Sequence, residues 1–290
     1  MRHATWLKLQ ESPYWLDLYR VYRRLPEPVR APLRFLVLPQ WHVGGFLVRA
    51  ASRGRVVAGP FRGMRLELSG VSSRHLLGYI LGSQELELRK PIARIIERAY
   101  RTILNVGAAE GYYAVGLALR SPQTRVAAFE TLKELHPLIT RSARLNGVSG
   151  RVEVHGKCDL AGLRTELTRS TGPVLIVMDI EGGEIDLLDP EAVPQLRQTD
   201  ILVETHDAFV NRVTETLIDR FWRTHNVECY TAQDRLVADF PPGFLSFLPR
   251  LCPQLAVALM EERRTGVQRW LFLTTKDVHG AVPDRKSDSP

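Results

Sequence analysis

Two pairs of ionisable residues stand two positions apart, each pair at the end of an apolar run. Asp179 and Glu181 follow Val174 to Met178, and Glu204 and His206 follow Ile201 to Val203. Residues two apart on an extended chain face the same way, so each pair presents its groups together. A histidine with a near-neutral pKa can take a proton reversibly from a hydroxyl group. His206 is therefore the candidate general base, with Glu204 or Asp179 to orient it. Carboxylates packed close together repel, so a shared proton, a cation or positive neighbours must compensate. A divalent cation held by Asp179, Glu181 and Glu204 is the alternative way to lower an acceptor's pKa, although nothing in the sequence fixes a full oxygen shell. Glu184 adds a fourth acid in what reads as the first turn of a helix, where it favours the helix dipole. The plainer reading of Asp179 and Glu181 is that they shape a turn and hold loop backbone.

A second chemical locus is the stretch Thr102 to Leu119, TILNVGAAEGYYAVGLAL. It reads as a strand, a glycine-rich turn and a helix in succession. Gly107 and Gly111 bracket the turn, where absent Cβ atoms allow special dihedrals and close approach of a ligand. Free N–H groups opening the helix make the turn a ready site for a polar cofactor. The spacing is G-x-x-x-G, which is neither the dinucleotide fingerprint nor a P-loop. Further on, Arg125 to Glu130 (RVAAFE) reads as a strand ending in a carboxylate, where a nucleotide fold places its acceptor for ribose hydroxyls. A phosphate-free nucleoside fits both features, and S-adenosylmethionine is the commonest such cofactor. Asn105, Gly107, Ala108, Glu110, Gly111, Glu130 and Asp179 are its candidate contacts. Asp159 is a candidate partner for an adenine amino group, or else a solvated loop aspartate. Asn146 before Gly147 reads as a helix-end residue, and a lone His155 on a strand as a packing or capping residue.

Four ordered segments, NVGAAEGYYAVGLA, AAFE followed by ARLNG, VMDIEGGEIDLL and ILVETHD, resemble the FkbM-type family of class I methyltransferases. Upstream, Gly63-Met64 and the segment Leu81 to Glu85 resemble two further pieces of that family, so the resemblance runs over residues 60–275. It implies an S-adenosylmethionine-dependent O-methyltransferase acting on a hydroxyl of a sugar, glycolipid or secondary metabolite. It also implies that the strands carrying Asp179 and Glu204 are neighbours, so that the two ionisable pairs converge. Glu85 then faces cofactor or substrate, or is a solvated carboxylate at a helix start. Four positions depart from the family pattern: Asn105 replaces an aspartate, Ala109 an asparagine, Thr131 a proline and Val177 a frequent lysine. The first removes a carboxylate near the cofactor's amino group, and the last leaves the acids after Met178 less neutralised. These changes leave open a catalytically degenerate, methyltransferase-like binding module. A nicotinamide-dependent oxidoreductase is disfavoured by the glycine spacing.

The elements that must position these groups alternate as in a doubly wound sheet. Strands are expected at Thr102 to Val106, Arg125 to Glu130, Arg151 to His155, Val174 to Met178, Ile201 to Glu204, Val227 to Thr231 and Arg269 to Thr274. The expected fold is a Rossmann-like class I methyltransferase α/β sheet of seven mostly parallel strands with an antiparallel last strand. Helices are expected at Leu132 to Asn146 and Val213 to His225, and over most of Val71 to Tyr100, with Ile92, Ile95, Ile96 and Ala99 on its core face. Val56 to Leu68 reads as a short hairpin. About 35 residues separate the last two strands, long enough to be a lid or substrate wall. This insertion carries a PPGF turn and a helix from Pro253 to Arg264.

Charge is uneven along the 290 residues: positions 1–60 hold ten Lys/Arg against three Asp/Glu, and the remaining 230 hold 29 of each. The basic balance thus belongs to an N-terminal accessory segment, and a nucleic-acid partner is not implied. That segment interleaves arginines with Trp6, Tyr14, Trp15, Tyr19, Tyr22 and Trp41. It reads as a helical cap, or as a peripheral contact with an anionic membrane face. Residues 61–278 form the expected methyltransferase domain, and 279–290 read as a disordered tail. No apolar run is long enough to span a bilayer. Cys158, Cys229 and Cys252 are scattered, which fits a reducing, cytoplasmic interior.

Overall fold

The computed structural model describes residues 21, 26, 29, 39–67, 73–207, 210–262 and 268–276. The aromatic residues of the N-terminal stretch up to Tyr22 and the expected C-terminal tail lie outside these residues. The seven strands are β1 (Thr102–Val106), β2 (Arg125–Phe129), β3 (Val152–His155), β4 (Val174–Met178), β5 (Asp200–Thr205), β6 (His225–Thr231) and β7 (Arg269–Thr275). They form one sheet in the order β3-β2-β1-β4-β5-β7-β6. β7 pairs antiparallel with both β5 and β6, whereas β1 to β5 pair in parallel. This is the expected mostly parallel Rossmann-like sheet with its antiparallel last strand.

The strands at the centre are apolar throughout because helices cover both faces. On one face α3 (Arg89–Arg98) and α4 (Tyr112–Arg120) share a core with Ile103, Leu175, Val177, Leu202, Trp270 and Phe272. α5 (His136–Leu145) adds Ile139 and Ala143 to the same core. On the other, α6 (Leu160–Arg169) and α8 (Val213–Phe221) pack on Leu104, Val106, Ile176, Met178 and Val203. α3 buries Ile92 and Ile95 as its spacing requires. Ala99, expected on that face, is instead the exposed, left-handed residue that ends the helix (φ 49°).

A third core belongs to a lobe built from distant parts of the chain. α1 (Pro39–Ser52) and α2 (Ser73–Leu81) pack with α10 (Pro253–Met260), bringing Val48, Leu77 and Ile80 against Ala256 and Leu259. α10 stops at Met260, where Glu261 turns extended, short of the expected Arg264. The Ser83 hydroxyl donates to the Met260 carbonyl at 3.4 Å, and the Glu85 N–H donates to the Glu262 carboxylate; each contact spans 177 residues. Among the described residues no helix is long and apolar enough to cross a membrane.

The expected hairpin at Val56 to Leu68 is short: around the antiparallel bridge of Arg55 with Arg65, the Val56 N–H donates to the Met64 carbonyl at 2.9 Å, Gly63 to Val56 at 2.7 Å and Leu66 to Gly54 at 3.0 Å. Gly59-Pro60 lies in the turn between these arms, where a proline without an N–H is tolerated, and Phe61 is buried in the core. Its ring fills the space over Gly116, where a Cβ would come within 2.5 Å of it. Asn146 ties this segment down: its amide accepts from the Arg65 N–H at 2.9 Å and donates to the Arg65 carbonyl at 2.7 Å.

Candidate functional site

The carboxyl ends of β1, β2, β4 and β5 open on a cavity of about 1060 Å³. This is where an open α/β sheet binds its ligands. The volume is at the upper end of roughly 300–1,000 Å³ for small-molecule sites, room enough for two reactants. Eight lining residues are Asp or Glu and one, Lys157, is Lys, so the cavity favours a positively charged occupant.

Side chains alternate along each strand, so Asn105 and Glu204 share a face with Ile103 and Leu202. β4 and β5 are neighbours, pairing Met178 with Val203, and the two ionisable pairs follow immediately. The His206 ring is buried, with Nδ1 2.6 Å from Glu184 Oε1 and Nε2 3.4 Å from Asp179 Oδ1. One ligand atom each from Asp179, Glu204 and His206 lies within 4.8 Å of the others. Convergence of these three groups is as expected.

Two expectations about the acids need correction. Glu184 does more than favour a helix dipole. Its side chain is 0 % exposed, opens the short α7 (Glu184–Leu187), and is the group that orients His206. Asp179 stands at the other ring nitrogen, Nε2. Glu181, proposed as a cation ligand, stands outside the cluster on the cavity wall, exposed and in a left-handed conformation (φ 55°). Burial opposes charge on the His206 ring, but the Glu184 hydrogen bond and the charges of Asp179, Glu184 and Glu181 outweigh it and raise its pKa. Burial alone would raise the Glu184 carboxyl; the His206 bond and backbone N–H donors outweigh it and lower it. Both shifts describe one ion pair.

The nucleoside end is organised by Glu130. Its Oε2 accepts from the Ala109 N–H at 2.8 Å and its Oε1 from the Leu132 N–H at 2.8 Å. The Thr131 hydroxyl also donates to Oε1 at 3.3 Å, so Oε2 is the oxygen that keeps a lone pair for a further donor; the residue lines the cavity. Four amides of the bend are engaged, while the first turn of α4 carries no side-chain cap. The Gly107 and Ala108 N–H groups donate to the Phe129 carbonyl at 3.0 and 2.9 Å, and Gly111 donates to Ala108 at 2.8 Å. A bend whose amides are engaged, one of them by a carboxylate, has little to offer a phosphate.

The glycines also serve packing, and Gly107 lines the cavity as well. A Cβ at Gly107 would meet the Asp179 carbonyl oxygen at 1.7 Å, and one at Gly111 would meet Ile139 at 3.2 Å. Both do take the expected left-handed dihedrals, φ 80° and 88°. Gly111 and Glu110 are off the cavity lining, and Glu110 accepts from the Tyr79 hydroxyl at 3.2 Å. Ala108 and Asp159 are on it, Asp159 also capping α6 through the Gly162 N–H at 2.8 Å. Asn105 is 2 % exposed; its Nδ2 donates to the Val177 carbonyl at 3.4 Å. Its Oδ1 is buried with no hydrogen-bond partner among the described residues, and the residue lines the cavity. His155 stacks on Phe129 (ring centroids 4.9 Å apart) away from the cavity.

Of the far wall, the sequence anticipates Glu85 and the insertion between the last two strands, but not the aromatic side chains. Tyr79, Tyr112, Tyr113 and Trp270 line it together with Glu85 and Glu262. Tyr79 stacks on Tyr112 with ring centroids 4.4 Å apart. The paired tyrosines after Gly111 were the available signal, whereas Glu262 reaches the wall only through the α1, α2 and α10 lobe.

No protein-family model matches the chain, and no curated protein matches it. Solved structures similar to it include the O-methyltransferase TomG from Streptomyces achromogenes in complex with SAM, 16% identical over 71% of this chain and 82% of that one, TM-score 0.41. Another is an O-methyltransferase from Bacillus cereus in complex with SAH, 14% identical over 81% and 91%, TM-score 0.41. An rRNA methylase from Streptococcus thermophilus is 10% identical over 66% of this chain and 98% of that one, TM-score 0.44.

Proposed function

We propose that the chain is an S-adenosylmethionine-dependent O-methyltransferase, of FkbM-like kind, acting on a hydroxyl of a sugar, glycolipid or secondary metabolite. The observation that carries this reading is the cavity itself, eight carboxylates against one lysine above a bend whose amides are already engaged. It suits a cationic nucleoside without phosphates. The orphaned Asn105 Oδ1 is a ready acceptor for an N–H group of such a ligand. Glu130 would hold the ribose hydroxyls, Ala108 and Asp159 would flank the base, and Asn105 would face the amino-acid end. When bound, the cofactor supplies an electrophilic methyl group on a sulfonium.

The chain must then place the acceptor oxygen in line and remove its proton. Glu184 fixes His206 with Nδ1–H directed at its carboxylate, so Nε2 is the nitrogen that receives the proton. The imidazolium so formed lies between Glu184 and Asp179, which stabilise it as it develops. The closeness of Asp179, Glu204 and His206 favours one second reading, a divalent cation on these three groups that activates the acceptor.

Calorimetric titration with S-adenosylmethionine tests the cofactor. Absence of binding at millimolar concentration overturns the enzyme in favour of a degenerate binding module. With labelled cofactor and candidate glycan extracts, His206→Ala should lower turnover by about 10²-fold or more while cofactor affinity stays within about twofold. Turnover abolished by a chelator and restored by magnesium would replace the base with the cation.

A further inference from the structure

Glu85 is a buried acid that the reaction outlined above does not use. It is 5 % exposed, lines the cavity, and is held in the left-handed region at φ 48°, ψ 60°. A non-glycine residue persists there only where its surroundings over-determine it, and such residues gather at ligand sites. The Tyr113 hydroxyl donates to its Oε2, and Gln84 Nε2 donates to its Oε1 at 3.2 Å. Glu85 precedes the turn Leu86–Leu88, whose Leu88 packs with Ile92, Ile103, Val177 and Trp270. This is the sheet face from which Asn105 projects.

The amino-acid end of a sulfonium nucleoside carries an ammonium, which in a buried site needs acceptors and a counter-charge. Asn105 Oδ1 offers an acceptor without a charge. The other lining acids have different work. Asp179 and Glu204 gather at His206, Glu130 and Asp159 hold backbone amides, Glu262 pairs with Arg235, and Glu181 and Asp186 are exposed. Burial and the nearby Glu85 charge hold the Tyr112 phenol well above its ordinary pKa. It stays neutral, with a ring face suited to a cation.

We propose that Glu85, oriented by Tyr113, is the counter-charge for the cofactor's α-ammonium, with Asn105 Oδ1 as a second acceptor. This rests on the cofactor reading above. The test is calorimetric titration of the full chain with S-adenosylmethionine and, separately, with 5′-methylthioadenosine, which keeps the nucleoside and lacks the amino acid. Glu85→Gln should weaken S-adenosylmethionine by roughly tenfold or more and leave methylthioadenosine within about twofold. Tyr113→Phe, which leaves the carboxylate in place, should cause a smaller loss of the same selectivity. Equal weakening of both ligands, or of neither, overturns the proposal. A wild-type chain that does not bind S-adenosylmethionine removes the cofactor reading and the role of Glu85 with it, whereas one that binds it while Glu85→Gln leaves the preference over methylthioadenosine unchanged removes Glu85 alone.

Discussion

In the proposed reaction Glu184 and His206 form the pair on which the chemistry turns. The raised pKa of His206 means that Nε2 loses its proton only above the ordinary imidazole value of about 6.5. Turnover should therefore climb with pH through a limb above that value. Glu184→Gln should move the limb down and lower kcat by roughly tenfold or more, with cofactor affinity unchanged; a limb that stays put removes Glu184 from the proton path. Stability runs the other way. The raised histidine gives stabilisation that is full below its unfolded pKa and lost as pH rises through the folded one. The depressed Glu184 gives stabilisation that is lost as pH falls through its folded value. Asp179, Glu204 and His206 were legible because spacing of two on apolar strands fixes their direction. Glu184 was not, because a helix start accounts for a lone acid locally and its contact with His206 lies 22 residues away.

At the scale of elements, the bend after β1 is a packing joint as much as a binding loop. Gly107 touches the Asp179 carbonyl, backbone against backbone, and takes a left-handed φ of 80°. Gly107→Ala meets both obstacles, so urea unfolding should show a loss of at least about 2 kcal/mol. An unchanged midpoint would show that β1 and β4 are joined more loosely than described. Strand positions were legible almost to the residue, because buried apolar runs such as VLIVM leave little choice. The pairing of the arms around Phe61 was legible from their alternation, but the seat of that ring on Gly116 was not. Likewise, engagement of the loop amides depends on Phe129 and Glu130, which follow the bend by some 20 residues.

Across the whole molecule, charge sorts the ligands. The cavity carries eight acids and one lysine although the chain is basic, with a formal net charge of +7. Nicotinamide dinucleotides, with their anionic pyrophosphate, should show no binding at millimolar concentration by cofactor fluorescence; binding would revive the oxidoreductase reading. The alternation of strands and helices was legible, and the strand order followed from the resemblance rather than from periodicity. The lobe escaped notice because its core joins Val48 to Leu259, a pairing that no local pattern announces. Its stitches from Ser83 and Glu85 to Met260 and Glu262 have a temporal corollary. On the ribosome the bend and its carboxylate emerge early, yet the groove above them stays roofless until Glu262 has been translated. On the proposed reading, competence to capture the cofactor is therefore acquired late in synthesis, when a closure of high contact order completes the vault.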